Sequence, residues 1–255
     1  MSALLSRLSR LAFILILAAA GPGHAAPDRI VSLGGGITET LFALGVGDAV
    51  VAVDVSSIYP QAALKRPKVG YIRATSAEGI ASMKPDLVIA SEALGPPAVR
   101  KQLEAGGVRL ALVPEAKSVD SASARIRAIG ALVNRKAEAE TLALAVETLA
   151  AKANPKGAPP RVLFLFAHGG SGFQVAGDKT GAATMIAAAG GLNAVTGYEG
   201  YRPLTPEAAL AANPDVILVT PRSLGGVKGP AGLWKTPGIA LTPAGKKRRL
   251  VVMED

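Results

Sequence analysis

The stretch SAEGIASMKPDLVIA, Ser76 to Ala90, returns in altered form as TPEAALAANPDVILV, Thr205 to Val219. In each, a glutamate stands seven residues before a Pro-Asp that opens an apolar run. The first part reads as a helix with the glutamate in its first turn, and the second as a buried strand. A helix-to-strand unit that occurs twice predicts a structural repeat, with one copy in each half of the chain.

Working outward, short β-like runs alternate with helical ones from Arg29 onward. RIVSL, TETLFALG, AVVAVD, PDLVIAS and RLALVPE make up the first set; RVLFLFA, a helix near GAATMIAAAG, PDVILVT and RLVVME make up the second. This pattern predicts an α/β fold of two Rossmann-like lobes with mainly parallel sheets. Between them, Ser118 to Asn154 carries apolar residues at helical spacing, Ile126, Ile129, Val133 and Ala137, then Leu142, Val146 and Leu149 after a slip in phase. A single helix over that stretch would be about 50 Å long at 1.5 Å per residue and would act as a rigid connector. The expected organisation is a signal peptide over 1–25, an N-terminal lobe over 26–117, the connecting helix over 118–154 and a C-terminal lobe over 155–255.

The signal peptide is read from Arg7 and Arg10, the short apolar run LAFILILAAA and the small-residue site Gly23-His24-Ala25 ahead of Ala26. The run is shorter than the roughly 20 residues a membrane-spanning helix needs. Export without a cysteine for a disulfide or lipid anchor predicts a freely diffusing periplasmic protein. Without the two signal arginines, the 28 basic residues fall to 26 against 19 acidic, a charge of +7. Apart from KKRR at 246–249 the basic residues are scattered and few aromatics accompany them, so nucleic acid is not an expected partner; a basic cleft for an acidic ligand fits better.

The repeat extends upstream: Gly70-Tyr71 precedes Glu78 as Gly200-Tyr201 precedes Glu207. Each lobe thus carries a tyrosine loop ahead of its helix, and in open α/β sheets such loops collect at the carboxyl ends of the strands. Tyr71 reads as a packing or surface residue, or as a phenol facing a ligand. Arg73 favours the second reading, because a nearby guanidinium favours phenolate, a hard oxygen ligand suited to ferric iron. Alternation in an extended segment would put the two side chains on one side. His168, the one histidine outside the signal segment, ends RVLFLFA and is either structural or a ligand from the second lobe. HGGSG also invites a hydrolase reading with Ser171 as nucleophile, but no second histidine remains to act as base and the G-x-S-x-G elbow is missing. SLGGGITET, Ser32 to Thr40, reads as a tight strand-to-helix turn or an anion contact. Glu78 and Glu207 are first-turn residues that favour the helix dipole, or matched charges for docking a symmetric partner.

RIVSLGGGITETLFALG, DVSSIYP, VGYIRATSAEGIASMKPDLVIAS, FLFAHGGSGFQVAGDKTGAATMIAAAGGLNAV and GYRPLTPEAALAANPDVILV together resemble the periplasmic haem-binding proteins, substrate-binding components of bacterial haem ABC importers. The wider group includes siderophore- and cobalamin-binding proteins; GYIR and the His-Gly-Gly loop narrow the resemblance to haem. It implies Tyr71 as axial ligand to ferric haem b with Arg73 beside it, His168 approaching the iron or a second haem from the other lobe, and Tyr201 facing the same cleft. It implies Glu78 and Glu207 as contacts for arginines of an inner-membrane ABC permease, an outer-membrane haem receptor upstream, and a monomer that carries haem without catalysis. The sequence leaves the propionate partners open, with Lys65, Arg66, Lys179 and Arg202 as candidates that it does not rank. Relatives continue past the strand in RLVVMED into a terminal helix, so the second lobe is expected to expose apolar surface. A ferric-siderophore or cobalamin carrier, or a haem sensor of the same fold, is the alternative.

Overall fold

The computed structural model describes residues 26–153, 157–167 and 172–253. Residues 1–25, expected to be a signal peptide, and His168–Ser171 lie outside the described residues. Among the described residues no helix is long and apolar enough to cross a membrane.

The first lobe runs β1 (Ile30–Leu33), α1 (Gly35–Ala43), β2 (Val50–Val53), α2 (Gln61–Leu64), a small hairpin β3 (Gly70–Tyr71) and β4 (Ala74–Thr75), α3 (Ala77–Ala81), β5 (Leu87–Ser91), α4 (Pro97–Ala105) and β6 (Leu110–Val113). Strands β2-β1-β5-β6 form a sheet that is parallel throughout. Strands β1 and β5 are buried along their whole length, so their apolar residues serve both faces. Ile30, Leu87 and Ile89 pack with α1 residues Ile37 and Leu41, whereas Val31, Leu33, Val88 and Ala90 pack on the other side with Ile80 of α3 and Leu103 of α4.

Two further helices follow, α5 (Val119–Leu132) and α6 (Lys136–Lys152). The stretch expected to be one long helix is therefore an antiparallel pair. The chain reverses at Asn134, whose φ of 56° is a left-handed conformation that asparagine adopts at low cost. Gly130 lets the two backbones close up: a Cβ there would lie 2.2 Å from that of Ala139. Arg127 of α5 then reaches Glu140 at 2.7 Å and Glu147 at 2.9 Å on α6. The phase slip in the sequence marks this reversal, and α6 alone, about 25 Å long, leads toward the second lobe.

That lobe contains β7 (Arg161–Ala167), β8 (Phe173–Ala176), α7 (Gly181–Ala188), β9 (Leu192–Asn193), β10 (Tyr201–Pro203), α8 (Pro206–Ala212), β11 (Val216–Val219) and β12 (Leu250–Val252). Its sheet has the order β10-β8-β7-β11-β12, with β9 also on β7. Strands β9, β11 and β12 lie parallel to the direction of β7, but β8 and β10 are antiparallel to their neighbours. The sheet is thus mainly parallel, as expected, with β8 and β10 forming an antiparallel edge.

The sequence repeat is a repeat of hydrogen bonds. Lys84 and Asn213, each before its Pro-Asp, take positive φ of 48° and 42°; Asn213 is the C-cap of α8, and Lys84 follows the Ser82 C-cap of α3 by two residues. Asp86 accepts the Arg29 N–H at 3.0 Å and Asp215 accepts the Arg161 N–H at 2.9 Å, tying each repeated strand to the strand beside it. The Arg29 and Arg161 Nε atoms donate back to carbonyls of Lys84 and Ala212. At the second sheet's far side Met185, Val251 and Val252 remain about half exposed and border an apolar groove.

Candidate functional site

The carboxyl ends of the first lobe's parallel strands converge on a cavity of about 220 Å³. Gly34 to Ile37 enter it from the end of β1, Ser56 from beyond β2, Ser91 and Ala93 from the end of β5, and Glu115 from beyond β6. Tyr71 and Arg73 close one side and Arg125 of α5 another.

Tyr71 and Arg73 are brought together, though by a turn and not by an extended segment. Tyr71 pairs with Ala74, so Ile72 and Arg73 form the tip of the β3–β4 hairpin. Ile72 is buried among Leu94 and Val99, and this anchoring turns both polar neighbours outward. The tip is also pinned by the Gly95 N–H donating to the Ile72 carbonyl at 3.0 Å, and by Thr75 Oγ1 donating to the Val69 carbonyl at 2.6 Å. Tyr71 keeps 46% of its surface exposed. Its hydroxyl has no hydrogen-bond partner among the described residues.

The glycine turn is held from beneath by Asp54, which is fully buried. Its carboxylate accepts the Gly34 N–H at 2.9 Å, the Ser56 N–H at 3.1 Å and the hydroxyls of Ser56 and Ser57. Ser57 in turn joins Thr38 and Ser32 through a chain of 2.7 Å hydroxyl contacts. The DVSSIYP motif is thus the bracket that fixes the cavity floor, a role that sequence reasoning missed.

Glu78 and Glu207 occupy matching places. Each is exposed in the first turn of its helix, behind an N-cap hydroxyl: Ser76 accepts from the Gly79 N–H and Thr205 from the Ala208 N–H. Neither glutamate forms an ion pair among the described residues, and neither lines the cavity.

Tyr201 does not line this cavity. It lies on β10 at the edge of the second sheet, with its ring centroid 6.0 Å from that of Phe166 and tilted by 52°. Partial burial raises its phenol above the ordinary range. The candidate propionate partners stand elsewhere: Arg66 donates to the Gly47 carbonyl, Lys179 pairs with Glu199, and Arg202 lies 4.1 Å from the centre of the Tyr198 ring. None of them, nor Lys65, lines the Tyr71 cavity, whereas Arg125, which sequence reasoning passed over, does.

Residues 30–255 match the model of a family described as periplasmic binding protein. This chain belongs to that family. Among solved structures, this periplasmic binding protein is similar to the periplasmic haem-binding protein RhuT from Roseiflexus sp. RS-1 in its apo form, at 45% identity over 89% of both chains with a TM-score of 0.83. It is similar also to the periplasmic haem-binding protein BhuT in complex with two haems, at 40% identity over 89% of both chains with a TM-score of 0.81. A curated relative, a cobalamin-binding protein of Halobacterium salinarum, is 32% identical over 75% of this chain and 53% of its own length. The chain thus spans about half the length of that relative.

Proposed function

We propose that this periplasmic binding protein captures ferric haem b between its lobes and delivers it to an inner-membrane ABC permease. The observation that carries the reading is the exposed Tyr71, which lines one cavity with Arg73 at the strand ends of a parallel sheet. A porphyrin supplies four nitrogens to its iron, so one protein oxygen suffices as axial ligand. The cavity is smaller than the roughly 300–1,000 Å³ of sites that enclose drug-sized ligands. It therefore takes part of the porphyrin, while the ring lies across Tyr71. Arg73 supports negative charge on the phenol oxygen when it binds iron.

His168 and Tyr201 are the second lobe's contributions in this reading, His168 as a ligand from the opposite side and Tyr201 as an aromatic surface backed by Phe166. Glu78 and Glu207 dock to arginines of the permease, one on each lobe. An outer-membrane receptor supplies the haem, a cleaved signal peptide over residues 1–25 sends the protein to the periplasm, and the two lobes, 26–117 and 155–255, act within a monomer. Nothing is transformed chemically; the protein is a carrier and not an enzyme.

The cobalamin-binding relative favours a second reading, in which the cleft takes a corrinoid. The haem reading has more support, because the haem-binding relatives match at higher identity and over nearly all of both chains. Calorimetric titration of the purified mature protein with haem and with cyanocobalamin separates the two. Saturable heat with haem alone is the expected result, and binding of cyanocobalamin without haem would overturn the proposal.

A further inference from the structure

Arg125 stands on α5, and its guanidinium faces the Tyr71 cavity. It lies so close over the glycine turn that a Cβ on Gly36 would be 2.6 Å from Nη2. A guanidinium has five N–H donors and no acceptor. Yet Arg125 forms no hydrogen bond and no ion pair among the described residues, and its Nε is shut off from solvent without a partner. The Arg66 Nε is also buried without a partner, but the other end of that guanidinium donates to the Gly47 carbonyl, and Arg161 donates to the carbonyls of Ala194 and Ala212; Arg125 has no such contact.

The surrounding charges do not settle this group. Glu115 and Glu39 attract it from a distance, neither close enough for an ion pair, and burial works against its charged form more than they support it. Arg73 adds a second positive charge to the cavity wall, and the Gly35 and Gly36 N–H groups at the start of α1 point the same way in sign. In the cavity lining Arg73 and the partly buried, unpartnered Arg125 outnumber the one carboxylate, Glu115, so the site is prepared for an anionic oxygen pair. Planar carboxylate matches the guanidinium fork.

We infer that Arg125 is the anion anchor of the cleft, pairing with a carboxylate on the edge of the porphyrin bound at Tyr71. The inference rests on the haem reading above. It names the ligand class more narrowly: a tetrapyrrole with a free carboxylate at its edge is favoured over the same ring with that group masked.

The test compares the wild-type mature protein with Arg125→Gln, titrating each with ferric protoporphyrin IX and with its dimethyl ester. The wild type should prefer the diacid. Arg125→Gln should weaken diacid binding by about 10- to 100-fold, the loss of one charge-assisted pair, while leaving the ester unchanged and the iron–tyrosinate absorption intact. Thermal melts of the ligand-free proteins check the fold, and the variant should be equally or more stable, because it removes a partly buried charge that has no hydrogen-bond partner among the described residues. An unchanged diacid affinity, or an equal loss for both porphyrins, would overturn the inference while the haem reading stands. If the wild type binds neither porphyrin, the haem reading itself fails, and the anchor with it.

Discussion

Replacing Gly130 with alanine separates two accounts of the 118–154 stretch by the sign of the result. In one continuous, solvent-facing helix, Gly→Ala stabilises by about 1 kcal/mol, because glycine is the poorer helix former. In the α5–α6 pair, the new Cβ would sit 2.2 Å from the Ala139 Cβ and 2.8 Å from the Arg135 carbonyl oxygen. Neither neighbour is a flexible side-chain end, so the helices must move apart. Overpacking of this kind costs about 1–3 kcal/mol. Since the crowding involves backbone as well as Ala139, we place the effect in the upper half of that range, leaving a net loss of about 1–2 kcal/mol after the propensity gain. For a chain of this size each kcal/mol moves the melting temperature by about 2–4 °C, so Tm should fall by about 2–8 °C in a calorimetric or circular dichroism melt. A rise in Tm would refute the packing argument. Ala139→Gly added to Gly130→Ala removes only the Cβ–Cβ clash, so the 2.8 Å approach to the Arg135 carbonyl oxygen and the new helix glycine should keep the double variant below the wild type in Tm.

Asp54→Ala removes the acceptor for two backbone N–H groups and two hydroxyls, and should lower stability by about 3–5 kcal/mol in urea unfolding, with weakened ligand binding because the glycine turn loses its bracket. At alkaline pH the raised phenols of Tyr198 and Tyr201 matter: burial keeps them protonated in the folded state above the unfolded value near 10, so stability falls as pH rises through about 10. Tyr201→Phe should make that fall shallower in melts taken between pH 9 and 11.5. Changing Glu78 and Glu207 together to alanine should leave haem affinity unaltered and slow transfer to permease-containing vesicles; an unaltered transfer rate removes them from docking.

The strands were readable because most are continuous apolar runs flanked by Pro-Asp or glycine turns, and β7 begins and ends where RVLFLFA does. The antiparallel edge was not. β10 is three residues long and includes a proline, so neither run length nor alternation announces it. The α5–α6 reversal left a trace in the shifted apolar phase, but its cause, a left-handed Asn134 with no proline or glycine beside it, does not stand out in a helical sequence. At the site, Tyr71 and Arg73 stood out through residue type and their place beside a repeated unit. Arg125 did not: in SARIRAIG it looks like a solvent-facing helix residue next to Arg127, which does face solvent and bind two glutamates. Only the packing of α5 against α1 places one arginine in the cavity and leaves the other outside. Asp54 was hidden for a related reason, since a buried carboxylate and a surface turn aspartate look alike before the hydroxyls around it are placed.

The most direct test of the haem reading is a titration of the purified mature protein with ferric haem, followed by visible absorption, with Tyr71→Phe run alongside. The phenylalanine keeps the ring and removes only the oxygen proposed to meet iron. The account predicts saturation with an iron–tyrosinate spectrum in the wild type, lost together with most of the affinity in Tyr71→Phe. The same saturated spectrum in both proteins would contradict it.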